Sequence, residues 1–156
     1  RSKSLGGRLI ANLEKLTLSL KNLGLKSEDS KKYYELSHKL GIAQINTKNL
    51  QEKIFGLECN FEELNGIDFK KGCYVGQENT ARMKMKSKLR KRLIPLETKE
   101  KIKSGSEIKF QNESVGKVLI GGAYPFGLIK FSDPNKSYME KDLNCDGFKV
   151  RLIKPN

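Results

Sequence analysis

The clearest structural signal is the pair of runs VGKVLI at 115–120 and GLIKF at 127–131, separated by a segment that opens with Gly121-Gly122. Both runs are short and rich in β-branched or aromatic residues, and paired glycines are typical of a turn. Similar runs occur at 93–96, 106–110 and 148–153. Turns about every 8–12 residues favour a small antiparallel barrel or sandwich of five or so strands.

Upstream of these strands the pattern is mainly helical. Residues 28–41 begin with acidic residues and end at Gly41, as a capped helix does. Three apolar residues are predicted to share its buried face: Tyr33, Leu36 and Leu40. His38 lies off that stripe, so we interpret it as a surface or packing residue.

The segment before that helix has two interpretations. Residues 16–20 alternate leucine with hydroxyl residues, which suits a strand, as does the run at 8–11. The leucines of 13–23 are also spaced for a helix. The sequence leaves both open.

The sequence pattern changes from helical to strand-rich near residues 88–92. We therefore divide the chain into residues 1–90 and residues 91–156, the second part being a C-terminal β-barrel. The predicted fold class is α+β.

Charge points to an anionic partner or to a lysine-rich solvated surface. The 156 residues include 31 Lys and Arg against 18 Asp and Glu, a net charge of +13. No apolar run approaches the roughly 20 residues of a membrane-spanning helix. We therefore predict no membrane partner.

Cysteine usage argues against both a disulfide scaffold and a structural zinc site. There are three cysteines, no CxxC pair and a single histidine. We predict no metal ligands and a reducing compartment. Because the chain starts without Met and runs directly into Leu5-Gly6-Gly7-Arg8, we expect that it lacks an N-terminal part.

The segment richest in chemistry is residues 70–82, which contains the run Lys71-Gly72-Cys73-Tyr74-Val75-Gly76-Gln77-Glu78. A helix is expected to begin near Gly76, and the positive potential at a helix N-terminus favours a nucleophilic thiolate. Glu78 in the first turn opposes that effect. Cys73 is thus either a reactive thiol or a buried cysteine in a tight turn.

This segment resembles the K-G-C-Y-x-G-Q-E signature of the YgfZ family of folate-binding proteins, whose eukaryotic relatives are mitochondrial iron–sulfur assembly factors. Four flanking elements are also similar to that family: LGGR at 5–8, GLECN at 56–60, NGIDF at 65–69 and ARM at 81–83. Gly56 stands where the family often has proline.

The resemblance implies a fold shared with the glycine-cleavage T-protein, a tetrahydrofolate-dependent aminomethyltransferase. This chain would then hold the end of an α/β folate-binding (T-protein-like) domain, followed by the small antiparallel barrel. It would lack most of the N-terminal half of that fold. The implied cofactor is tetrahydrofolate, and part of its site would lie outside this sequence.

The same resemblance implies site residues. Cys73 matches the functionally critical thiol, and Glu58 matches an acidic residue that reaches the pteridine ring through charge-assisted hydrogen bonds. Five further residues match motif positions near the cofactor: Lys71, Tyr74, Gln77, Glu78 and Arg82.

Three functions are compatible with these features. The signature implies a folate-dependent factor for assembly or repair of 4Fe–4S proteins, with iron–sulfur proteins as clients. The fold alone would also suit an aminomethyltransferase, and the sequence leaves open whether the protein is an enzyme. The expected location is the cytoplasm of a bacterium or the mitochondrial matrix of a eukaryote.

The third function is a basic module that binds tRNA during its modification. It would use a stretch of seven cations: Arg82, Lys84, Lys86, Lys88, Arg90, Lys91 and Arg92. No aromatic residue interleaves them to stack on bases. The alternative interpretation is one solvated helix face.

Overall fold

The computed structural model describes residues 5–7, 9–85, 89–131 and 138–154. Its helices are α1 (Leu13–Asn22), α2 (Ser30–Lys39), a 3₁₀ helix (Thr47–Leu50) and α3 (Gln77–Met85). The strands are β1 (Lys91–Glu97), β2 (Glu107–Phe110), β3 (Glu113–Ile120), β4 (Phe126–Lys130), β5 (Leu143–Cys145) and β6 (Phe148–Leu152). The fold class is α+β, as predicted.

The six strands close into a barrel in the order β1-β4-β3-β2-β5-β6, and every pairing is antiparallel. All five strand runs identified in the sequence are present. The sixth strand, β5, escaped prediction because it has only three residues and its central Asn144 is exposed. The turn predicted at 132–135 lies outside the described residues.

Strand β1 is buried on both faces, which places it between the two apolar cores. Ile94 and Leu96 face the barrel interior, whereas Leu93 belongs to a second core. The interior core is formed mainly by aliphatic side chains: Ile94, Leu96, Ile102, Ile108, Val115, Val118, Ile129, Leu143, Val150 and Leu152. Four consecutive buried residues in β1 follow from this position.

The second core attaches the upstream segment to the barrel. Its buried members are Leu93, Leu119, Ile120 and Phe126. Partly buried residues packed against them include Ala43, Leu50, Ile54 and Cys59. Burial of this apolar surface is what holds residues 43–59 in place.

Helix α2 forms where the sequence predicts it and has well-defined ends. The Asp29 side chain accepts the Lys31 N–H at 2.9 Å, and Gly41 has φ 73°. The N–H groups of Gly41 and Ile42 donate to the carbonyls of His38 and Ser37, which is a Schellman ending. Gly41 therefore ends the helix as expected.

The predicted buried stripe of α2 was wrong. Leu36 is 40% exposed, and the buried residues of the helix are Ser37 and His38. This face of the helix is buried because the His38 ring packs edge-on against Phe126, with centroids 5.0 Å apart. His38 is thus a packing residue and not a surface one.

The ambiguous segment before α2 is helical. Asn12 caps α1 by accepting the N–H groups of Glu14 and Lys15, and the strand interpretation of 16–20 was wrong. Residues 9–12 have no regular structure, while Arg8 lies outside the described residues. No residue of α1 is buried. Local capping and propensity therefore outweigh the alternating pattern here.

Among the residues that the structure describes, no helix combines the length and apolarity needed to cross a bilayer.

Candidate functional site

The motif segment forms a tight turn that leads into α3. Gly76 has φ 83°, a conformation that favours glycine, and the helix begins at the next residue. The Gln77 side-chain oxygen accepts the Tyr74 N–H at 3.3 Å, and the Tyr74 carbonyl accepts the Gln77 N–H at 3.3 Å. Gln77 therefore shapes the turn through reciprocal bonds.

The thiol of Cys73 is exposed at this turn. The alternative of a buried cysteine was wrong for this chain. Beside it, the Lys71 ammonium lies 4.3 Å from the centroid of the Tyr74 ring, a cation–π contact between two exposed side chains. A cation and an aromatic ring thus flank the accessible sulfur in sequence.

Glu78 and Arg82 lie in the first and last turns of α3, and both are exposed. Within the described part of the chain, neither side chain has a hydrogen-bond or ion-pair partner. Their charges suit the helix dipole, because an acid favours the N-terminus and a base the C-terminus. Both side chains are accessible to a ligand.

Glu58 lies half-buried in the turn-rich segment before the motif. Its Oε2 accepts the Phe55 N–H at 3.1 Å, and its backbone carbonyl accepts the Leu93 N–H at 2.8 Å. In the described residues, that N–H is the single donor to the carboxylate. Glu58 therefore closes a turn and attaches it to β1, and it retains acceptor capacity for a ligand.

The other two cysteines are in different environments from Cys73. Burial, together with the nearby charge of Glu58, raises the pKa of the Cys59 thiol to about 11. Burial and Asp146 likewise raise the pKa of Cys145 to about 11. Both thiols stay protonated and unreactive near neutral pH.

The basic stretch is not one helix face. Arg82 and Lys84 belong to α3, Lys91 and Arg92 belong to β1, and 86–88 lie outside the described residues. The single-helix interpretation failed because the short strand pattern of β1 begins within the charged run.

Two cations of that stretch are paired with acids that sequence reasoning missed. Lys84 forms an ion pair with Glu62, and Arg92 forms one with Glu63. Arg92 also donates to the Asn60 side-chain oxygen at 3.5 Å. The adjacent acids of the turn-rich segment were the available signal. The pairing links α3 and β1 to that segment, and it reduces the positive charge free to contact RNA.

No group of three or more His, Cys, Asp or Glu side chains is arranged to hold a metal ion in the part of the chain described. The candidate residues therefore offer one thiol and separate carboxylates as donors.

Comparison with known proteins identifies relatives. No protein-family model matches the chain. It is 37% identical over 95 residues to a protein of Neurospora crassa named iron–sulfur cluster assembly factor IBA57 homolog, mitochondrial. It is 36% identical over 97 residues to the protein of that name from Dictyostelium discoideum, and 46% identical over 57 residues to the one from Aspergillus oryzae. The chain resembles mitochondrial iron–sulfur cluster assembly factors.

The matched regions cover 61%, 62% and 36% of this chain, but only 21%, 24% and 13% of those relatives. The chain thus matches about a quarter or less of their length. A continuous stretch of 95 residues in a chain of 156 includes residues 62–95 wherever it begins. The stretch similar to the Neurospora protein therefore includes the turn of Cys73 and helix α3.

Proposed function

We propose that the protein acts in the assembly or repair of iron–sulfur proteins, in the mitochondrial matrix. The observation that carries this proposal is the similarity to proteins named as mitochondrial iron–sulfur cluster assembly factors, in a stretch that includes the Cys73 turn. The clients would be proteins that receive 4Fe–4S clusters.

In this proposal the thiol of Cys73 acts directly. It is the exposed cysteine of the described residues, whereas Cys59 and Cys145 are held protonated by burial. A lasting cluster usually needs four thiolate ligands. One exposed sulfur instead suits a transient contact with the cluster or the client.

We also propose that tetrahydrofolate binds near this segment. Glu58 supports this, because its half-buried carboxylate accepts one N–H and has lone pairs left for an aminopyrimidine edge. Lys71 offers a cation for a carboxylate of the ligand. When bound, tetrahydrofolate would supply one-carbon or redox chemistry, while these residues would bind and orient it.

Complementation tests the role of the thiol. The full-length protein, carrying Cys73→Ser or the control Cys59→Ser, is expressed at matched levels in cells that lack their own IBA57-like factor. We expect the wild type and Cys59→Ser to restore a 4Fe–4S enzyme and Cys73→Ser to fail. Equal rescue by both variants would show that the Cys73 thiol is dispensable. If the wild type itself fails to rescue, the assembly role is wrong.

Folate binding is tested separately, by calorimetric titration of tetrahydrofolate into the full-length protein. Glu58→Gln keeps the size of the side chain but removes its charge, and we expect it to weaken binding about tenfold or more. Glu52→Gln is the control, because Glu52 is an exposed acid of the same segment. Equal affinity in the two variants would remove Glu58 from the folate site.

A further inference from the structure

A groove of about 770 Å³ crosses the outside of the barrel, and neither Cys73 nor Glu58 is among the residues that line it. It spans strands β1, β4, β3 and β2, and Lys53 borders it from the segment after the 3₁₀ helix. Its volume lies in the range of small-molecule sites, and such sites are common where two parts of a fold meet.

The charged residues that line the groove are mainly lysines. Lys91 and Lys130 are directly opposite each other in the β1–β4 register, an arrangement that destabilises a sheet unless the charges are neutralised. Lys53 and Lys117 also line the groove. In the part of the chain that the structure describes, none of these four lysines forms an ion pair.

One acid lies among these lysines and is already engaged. Glu107 pairs with Lys109 at 3.2 Å. Hydrogen bonds from Ser114 and Lys109 keep the pKa of Glu107 below its usual value, and the nearby charge of Lys130 has the same effect. The carboxylate is therefore ionised, and it offsets only part of the four positive charges.

The floor of the groove is apolar. Leu119 is buried, and Leu128 is half-buried. The Ser104 hydroxyl already donates to the Leu119 carbonyl at 2.7 Å, so its proton is not free for a ligand in the groove. The surface therefore combines an aliphatic floor with a rim of ammonium groups.

We propose that this groove binds a small molecule that carries two or more phosphate groups beside an apolar ring system, of the nucleoside diphosphate class. The phosphates would contact Lys91, Lys130 and Lys117, and would remove the repulsion between the first two. The ring would lie on Leu119 and Leu128. An extended nucleic acid is less well matched, because no described residue lining the groove is aromatic and able to stack on successive bases.

The site is independent of the proposed role in iron–sulfur assembly, since it includes neither Cys73 nor Glu58. Calorimetry with ADP, adenosine and pyrophosphate as probes measures the phosphate contact and the ring contact separately. We expect ADP to bind more tightly than either adenosine or pyrophosphate, and its affinity to fall as salt rises. Hydrogen exchange should show protection by ADP in peptides that cover 104–118.

The variant Lys91→Ser/Lys130→Ser should weaken ADP binding about tenfold or more, because charged hydrogen bonds to phosphate are lost. Lys15→Ser/Lys21→Ser removes the same charge from exposed positions of α1 and should leave the affinity unchanged.

Absence of binding at millimolar ADP would overturn the proposal, as would equal losses in the two double variants. If pyrophosphate bound as tightly as ADP, the proposed contact between the ring and the apolar floor would be refuted. Tighter binding of single-stranded RNA, with protection of the same peptides, would make the groove a nucleic-acid surface.

Discussion

The Asn60 side-chain amide donates to the carbonyl oxygen of Leu93 at 2.8 Å, across 33 positions of the chain. The Leu93 N–H in turn donates to the Glu58 carbonyl at 2.8 Å. Both backbone groups of one β1 residue are therefore satisfied by the turn-rich segment next to the motif. This pairing holds the upstream segment against the barrel with a defined register.

Replacing Asn60 by alanine should destabilise the protein by about 1–3 kcal/mol, because the buried Leu93 carbonyl loses its donor. Asn60 also has φ 61°, where asparagine is favoured over alanine. Asn65→Ala is the matched control, since Asn65 has φ 55° but is exposed. Denaturant unfolding measures both. Equal losses would mean that backbone strain and not the hydrogen bond accounts for the effect.

The His38 ring gives stability a defined pH dependence. Its Nε2 lies 2.9 Å from the Pro125 carbonyl, which can only accept, so the neutral ring donates from Nε2. Burial lowers the pKa of His38 despite that bond. In the unfolded chain the ordinary pKa is about 6.5. Below that value the unfolded state binds a proton that the folded state does not.

The free energy of unfolding should therefore fall as pH drops from about 7.5 through 6.5 toward the lower pKa of the folded state. The chain has one histidine, and the lowered pKa values of Glu35, Glu107 and Asp142 place their effects at more acid pH. His38→Gln should remove the dependence in this window. An unchanged slope in that variant would assign the effect to another group.

Two glycines of the barrel should respond differently to an added methyl group. A Cβ at Gly116 would lie 2.6 Å from the Leu128 carbonyl oxygen, which belongs to the backbone. A Cβ at Gly127 would lie 2.6 Å from the Ile108 Cδ1, the end of a flexible side chain. Overpacking costs about 1–3 kcal/mol, so we expect Gly116→Ala at the upper end of that range and Gly127→Ala at the lower.

A double-mutant cycle separates the two causes. Ile108→Val removes the Cδ1 methyl and should lessen the cost of Gly127→Ala, while leaving that of Gly116→Ala unchanged. Thermal unfolding of the three single variants and the two double variants, each compared with the wild type, measures the coupling. If Ile108→Val relieves neither substitution, the side-chain contact is not the source of the strain.

The barrel was predictable because its strands are runs of β-branched and aromatic residues separated by turns, as at 115–120 and 127–131. The end of α2 was predictable because Gly41 supplies the left-handed conformation that a Schellman ending needs. The buried face of α2 was not, since it depends on Phe126, which lies far along the chain. Periodicity identifies an apolar stripe but not the surface that will cover it.

The candidate site likewise has one part that was predictable from the sequence and one that was not. The turn before α3 was predictable from Gly76 and the motif. The pairing of Lys84 with Glu62 and of Arg92 with Glu63 was not, because it needs α3 and β1 to fold back onto the same turn. Local patterns show which charges are present, and the fold decides which of them remain free.

The accessibility of Cys73 predicts a selective reaction with alkylating reagents. The native protein, treated briefly with iodoacetamide at about pH 8, should be modified at Cys73 and spared at Cys59 and Cys145, because thiolate and not thiol is the nucleophile. Both spared thiols have a pKa of about 11 and are shielded by packing. Peptide mapping by mass spectrometry reads the three sites separately, and unfolding in denaturant should make all three reactive. Modification of Cys59 at the rate of Cys73 in the native protein would contradict the packing of residues 43–59 against the barrel, because that packing is what buries the Cys59 sulfur.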